Sequence, residues 1–231
     1  MRLEEYNEIS DLVNPKIGDI IDANIAVHHL RSLVRLYIMD EVDIALDQYK
    51  RQPLEWYGVY NTNLLYWAVC QELYLTNKNE TLKSYAREML SFAEKHPDNF
   101  TYEQDMYTSY LFLGDFKNAV KYAEQWNEKN GGYYDQDLIA LKVMNGDREI
   151  GLDAISKSKS TNNDYKLWEY NQAKIYTALG MYDEAINMLK ESLNHGQYFT
   201  WYTYENDIFF KDLLDIDEFT ALKSSFISSV R

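Results

Sequence analysis

Between residues 166 and 197 the apolar and small residues recur in steps of three and four: Ala173, Tyr176 and Leu179, then Tyr182, Ala185, Leu189 and Ser192. That spacing puts each set on one face of a helix, and Gly180 interrupts it. A residue that leaves a helix through the left-handed region is usually glycine, so the segment predicts two helices joined by a tight turn. The same design occupies 101–131, with Tyr107, Tyr110 and Leu113 before Gly114, then Phe116, Ala119, Ala123 and Trp126 after Asp115, a residue suited to capping the second helix. Segment 133–161 is a degenerate version that keeps Ile139, Gly146, Ile155 and Ser158 but has Arg148 in the aromatic position and Gly151 where Ala is expected. The three glycines lie 32 and 34 residues apart.

Upstream, Ala86, Leu90, Ala93 and Pro97 have the second-helix spacing and Ala68 suits the first helix, with about six extra residues around Thr76–Asn79 expected to lengthen the turn. Leu33, Leu36, Ala45 and Tyr49 fit one more hairpin, with Asp40 in place of the turn glycine and Pro53 closing it. The tail carries Asp207, Phe210 and Leu213, then Phe219 and Leu222. An end of a repeat array needs a cap with a polar outer side, and Lys211, Asp212, Asp215, Asp217 and Glu218 supply polar positions there.

The order small, aromatic, Leu, Gly, aromatic, small, apolar, small resembles the tetratricopeptide repeat, and the tail resembles the capping motif at the end of bacterial arrays of that family. The resemblance implies an all-α fold, a right-handed α-solenoid of about five stacked helix-turn-helix hairpins with a C-terminal capping helix pair. Residues 1–21 then form a lead-in or incomplete helix, 22–197 the repeat array and 198–231 the cap. It further implies a concave groove lined by first helices, with Thr101, Gln104, Thr108, Leu111 and Phe112 from one unit, Tyr133, Gln136, Ala140, Val143 and Met144 from the next, and Leu167, Tyr170, Lys174, Thr177 and Ala178 from the best-matched one. Leu111, Phe112, Val143 and Met144 give apolar anchors there, while Gln104, Gln136 and Lys174 are able to hydrogen-bond a backbone. With Lys174 the one basic residue among these positions, a carboxylate clamp is not expected.

Composition fits this picture. Only 3 Pro and 9 Gly punctuate 231 residues, too few breakers for a many-stranded sheet. The net charge of −14 repels a phosphate backbone, so no nucleic-acid partner is expected. No stretch reaches the ~18 apolar residues of a membrane span and the amino terminus lacks an apolar signal core; the reading is no membrane insertion and a cytoplasmic protein as given, or an exported or larger one if the amino terminus is truncated. Cys70 is a lone cysteine expected in the core. His28 and His29 are adjacent and so point about 100 degrees apart on a helix, which does not chelate one ion; His96 and His195 are expected at helix carboxyl ends. Tyr110, Phe116, Tyr176 and Tyr182 fall on packing positions, and the cluster Tyr198, Phe199, Trp201, Tyr202 and Tyr204 is expected to pack against the cap.

Nucleophile, phosphate-loop, dinucleotide and metal-binding motifs are absent from the sequence. No cofactor and no catalysis are expected. The expected function is a protein-protein interaction scaffold or adaptor that binds a peptide or partner helix. The alternatives are the C-terminal repeat module of a larger sensor, regulator or peptidase, and, less favoured, a small all-α hydrolase. The sequence leaves open homodimerisation through an exposed repeat end.

Overall fold

The structure is a computed structural model that describes residues 21–50, 54–55, 63–132, 135–159, 169–195 and 201–229. Apart from a two-residue parallel bridge pairing Ile21–Asp22 with Leu54–Glu55, the described elements are helical. The chain divides into two compact units, residues 1–113 and 114–231. The amino-terminal segment, Pro53, Tyr133, Leu167, Trp168, Gln197, Tyr198 and Phe199 lie outside the described residues.

Unit 1 contains α1 (Ala23–Arg35), α2 (Met39–Lys50), α3 (Asn63–Leu75), α4 (Asn79–Lys95) and α5 (Tyr102–Leu113). Helix α1 packs on α2 and also on α3; α3 packs on α4 and on α5. Unit 2 contains α6 (Phe116–Lys129), α7 (Asp135–Met144), α8 (Arg148–Lys159), α9 (Glu169–Ala178), α10 (Tyr182–Asn194), α11 (Trp201–Asn206), a 3-10 helix (Ile208–Leu213) and α12 (Asp217–Ser229). Here α7 packs on α6, α8 and α9, and α9 on α8, α10 and the 3-10 helix. In both units a first helix therefore touches its own second helix and the next first helix.

The turns at Gly146, Gly180, Tyr37 and Asn77 share one backbone solution. At Gly146 the amide bonds the Val143 carbonyl at 2.9 Å and the next amide, Asp147, reaches back to Lys142 at 3.0 Å; Gly180 and Met181 bond Thr177 and Tyr176 in the same way, both at 2.9 Å. This double closure satisfies carbonyls that the helix end leaves open, and it needs a left-handed residue at the turn. Tyr37 and Asn77 take that role in unit 1, at φ 59 and 58, with the same paired bonds from Tyr37 to Val34, Ile38 to Leu33, Asn77 to Tyr74 and Lys78 to Leu73. Two expectations are corrected here. Asp40 does not stand in for the turn glycine, because Tyr37 takes the left-handed conformation and Asp40 falls in the first turn of α2. The turn after α3 is not lengthened, since Leu75 ends one helix and Asn79 opens the next; the extra residues go into α4, 17 residues long against 12 for α2.

Small residues let the helices of each unit approach. Ala26, Ala68 and Ala86 are fully buried in unit 1, and Ala119, Ala140, Ala173 and Ala185 in unit 2. Cys70 is buried in α3, and His96 and His195 cap α4 and α10. The unit 2 core runs from Val143 and Ile155 through Tyr176 and Leu189 to Tyr204, Phe210, Leu213 and Phe219; of the tail motif, Phe210, Leu213 and Phe219 are core residues and Leu222 packs partly buried against them, while Asp212, Asp215, Asp217 and Glu218 are exposed. Tyr176 is buried as expected; Tyr182 is not, standing 36% exposed at the start of α10. Arg148, in the aromatic position of its hairpin, instead donates to the Leu179 carbonyl at 2.8 Å and so satisfies an open carbonyl near the end of α9.

Gly151 explains its own departure from the pattern. A Cβ there would stand 2.6 Å from Val143 Cγ2, 3.3 Å from Ile175 Cγ2 and 3.4 Å from Leu179 Cδ2. Substitution Gly151→Ala should therefore lower stability by about 1 kcal/mol, the overpacking cost exceeding the ~1 kcal/mol gain in helix propensity. Urea unfolding checks this, and in a Val143→Ala background the same change should become neutral or stabilising.

Candidate functional site

Helix α9 is buried along the run Gln172–Thr177 as well as at Tyr170. A helix enclosed on so many sides must satisfy its polar side chains within the protein. Thr177 Oγ1 donates to the Ala173 carbonyl at 2.8 Å. Lys174 Nζ lies 3.0 Å from Asp137 Oδ1 on α7 and 3.0 Å from Asp207 Oδ2 at the head of the 3-10 helix. The Tyr170 hydroxyl donates to the same Asp207 oxygen at 2.6 Å. The other Asp207 oxygen accepts the Phe209 amide at 2.9 Å and caps the 3-10 helix. The ammonium also sits over the rings of Tyr170 and Phe209, at 5.1 and 5.3 Å, a geometry favourable to a cation.

Protonation follows from these contacts. Burial alone pulls the Lys174 ammonium down, but the Asp137 and Asp207 carboxylates outweigh it and hold the group above the ordinary lysine range. Burial pushes the Asp137 carboxyl up, and the Lys174 charge offsets part of that rise. Burial and the Asp207 charge raise the Tyr170 phenol, which keeps its proton as a donor. The cluster is an acid-base-acid tie that joins α7, α9 and the 3-10 helix of unit 2.

Unit 1 carries a related arrangement. Arg35 Nε on α1 donates to Glu72 Oε1 on α3 at 2.6 Å. One turn earlier the Arg31 guanidinium donates to Gln71 Oε1 and lies over the Trp67 ring, 5.1 Å from its centroid. Tyr74 packs on Phe112 with ring centroids 5.7 Å apart. The Arg35–Glu72, Lys174–Asp137 and Tyr170–Asp207 pairs each join residues 37 apart. Relative to the left-handed turn residues Tyr37, Asn77 and Gly180, the residues Arg31, Gln71 and Lys174 hold the same place.

The groove residues expected from the sequence fall into two sets. Thr108, Leu111 and Phe112 in unit 1, and Val143, Tyr170 and Lys174 in unit 2, are buried. Gln104 in unit 1, and Gln136 and Met144 in unit 2, are half-buried; Tyr133 lies outside the described residues. Reasoning from the sequence took Lys174 as a hydrogen-bonding base and did not find its partners Asp137 and Asp207, which stand a whole repeat away on either side. Arg31, Arg35, Trp67 and Gln71 escaped it as well, because the register that aligns them is set by Tyr37 and Asn77 rather than by glycines.

Two carboxylates are shifted upward, Asp137 as above and Asp105 on α5. Asp105 is 7% exposed; burial pushes its carboxyl up to about 6, with hydrogen bonds from Asn63 and Thr101 opposing the rise. Neither lines the groove of about 620 Å³ between α10 and α12, whose walls include Lys190, Leu193, Glu218, Leu222 and Phe226. Among the described residues no group of three or more His, Cys, Asp and Glu side chains is placed to hold a metal ion, and no helix is long and apolar enough to cross a membrane. Comparison of the chain with protein-family models, curated proteins and solved structures finds no match.

Replacing Lys174 by Met leaves Asp137 and Asp207 without their shared cation, and breaking a buried pair from one side costs on the order of 3 kcal/mol. Denaturant unfolding should show that loss, and adding Asp137→Asn to Lys174→Met should recover part of it. Asp105 gives a pH signature. Its folded pKa lies above the unfolded value of 3.8, so the folded state binds the proton more tightly and the group's contribution falls as pH rises from about 4 to about 7. Asp105→Asn removes this term. The stability difference between variant and native chain should grow with pH across that window by at most about 3 kcal/mol and level off above it; a difference independent of pH would contradict the assignment.

Proposed function

We propose that the chain is a non-catalytic interaction scaffold of tetratricopeptide-like hairpins, which holds a peptide or partner helix against the first-helix faces of its units. The observation that carries this reading is the repeated contact between successive first helices, with polar ties spaced 37 residues apart in both units and turns closed by the same paired backbone bonds. Within each unit, an array of this kind presents a row of first helices to a ligand. The row of unit 2 carries Gln136 and half-buried Met144 on α7; that of unit 1 carries Gln104 on α5 and Trp67 and Tyr74 on α3.

Buried anchors dominate such interfaces while their neighbours exclude water. Phe112 and Val143 are packed within their own units, so their truncation tests stability as much as binding. Met144, half-buried at the carboxyl end of α7, separates the two. With Met144→Glu and Gln136→Ala together, a partner captured from source lysate by the native chain should be lost or bound at least ~10-fold more weakly, a deficit of about 1.4 kcal/mol, at unchanged helical circular dichroism. Capture that survives both substitutions removes the first-helix face of unit 2 from the proposal.

A further inference from the structure

Asparagine followed by glycine occurs at Asn130-Gly131 and Asn145-Gly146, each at the carboxyl end of a helix of unit 2. The pair is reactive in water, because glycine has no Cβ to keep its amide nitrogen away from the asparagine side-chain carbonyl. The fold holds the two copies differently. Asn130 is half-buried, and its Nδ2 donates to the Trp126 carbonyl at 2.7 Å, which ties the side chain back along α6. Asn145 is exposed, and its side-chain amide has no hydrogen-bond partner among the described residues. Gly146 is exposed as well, at φ 104, with open space where a Cβ would stand. The restraint on this pair lies in the main chain, where the Gly146 amide donates to the Val143 carbonyl at 2.9 Å. Solvent-exposed backbone bonds of this kind are among the first to open in a folded protein.

We propose that Asn145 is a site of spontaneous modification, passing through a cyclic imide to aspartate and isoaspartate while Asn130 persists. When the bond to Val143 opens, the Gly146 nitrogen gives its proton to solvent base and attacks Asn145 Cγ. A C–N bond forms there, the Cγ–Nδ2 bond breaks, and ammonia leaves with a proton taken from water. One water molecule then opens the imide. Cleavage at Cγ restores the original main chain and leaves an aspartate; cleavage at the main-chain carbonyl leaves isoaspartate, whose main chain runs through the former side chain. Nothing is oxidised or reduced, and water is the only co-reactant. Aspartate puts a negative charge at the carboxyl end of α7, where the helix dipole disfavours it, but leaves the turn's connectivity unchanged. Isoaspartate lengthens the main chain by one carbon, so the paired bonds from Gly146 to Val143 and from Asp147 to Lys142 no longer close together. The joint between α7 and α8 thus loosens as the molecule ages.

Peptide mass mapping of the full chain, aged in mildly alkaline buffer with and without urea, tests the proposal. Trypsin puts the two sites on separate peptides, cutting after Lys129, Lys142 and Arg148. In the folded chain, conversion at Asn145 should exceed that at Asn130 by about 10-fold, the rate equivalent of one ordinary hydrogen bond. In urea the two rates should draw level. An isoaspartyl methyltransferase should label the aged native chain and leave Asn145→Gln, whose longer side chain closes its ring far more slowly, close to background. Hydrogen exchange at Gly146 and Asp147 should be faster in the labelled chains. Equal conversion at the two sites in the folded chain, or faster conversion at Asn130, would overturn the proposal. So would an unreacted Asn145 in the folded chain once the urea sample has converted, or a preference for Asn145 that persists in urea and therefore owes nothing to the fold. Unchanged exchange at Gly146 and Asp147 in isoaspartate-bearing chains would overturn the loosening of the joint.

Discussion

Helix α3 of unit 1 and helix α9 of unit 2 are each enclosed on most of their surface, and that enclosure constrains what packs around them. Helix α3 has ten buried positions among its 13 residues, including Asn63, Gln71 and Glu72. Helix α9 buries Gln172, Lys174 and Thr177 along with its apolar residues. An ordinary amphipathic helix turns such groups to water; these helices have too little outward face for that. Thr177 is satisfied by its own helix backbone, and Lys174 by Asp137 on α7 and Asp207 at the head of the 3-10 helix. Within each unit, the packing of one helix pair thus depends on what stands beside it.

That dependence separates what the sequence made legible from what it did not. The hairpins of unit 2 were readable because their signals are local: Gly146 and Gly180 sit at the turns, and Ala173, Tyr176, Ala185 and Leu189 follow helical spacing into the core. The apolar spacing of the tail was readable for the same reason, with Phe210, Leu213 and Phe219 buried in the core of unit 2. Unit 1 was harder, because the left-handed position is held by a tyrosine and an asparagine. The register therefore slipped to Asp40 in one hairpin and produced an expected long turn in the other. Tyr182 followed the core spacing yet stands partly open, since it opens α10, where fewer neighbours surround a side chain.

The candidate site was the least legible part. A lysine, an aspartate and another aspartate spread over 71 positions from Asp137 to Asp207 carry no local signature, and the role of Asp207 as both helix cap and ion partner appears only when the 3-10 helix is laid against α9. Gly151 shows the same limit from the other side. By spacing it is a poor substitute for alanine, but the space available to it is set by Val143 on one neighbouring helix and Ile175 on another. Helical periodicity identifies faces; it does not report the distance at which two faces meet.

The turns at Tyr37 and Asn77 carry a wider consequence. Their two backbone bonds are the same as those at Gly146 and Gly180, so connectivity there is secured by main-chain atoms. Glycine relieves strain at that position, yet its loss leaves the hairpin intact. A molecule assembled this way has a signature that records conformational preference rather than structural necessity, and such a signature is free to wear away at one joint after another while the order in which the helices meet is preserved.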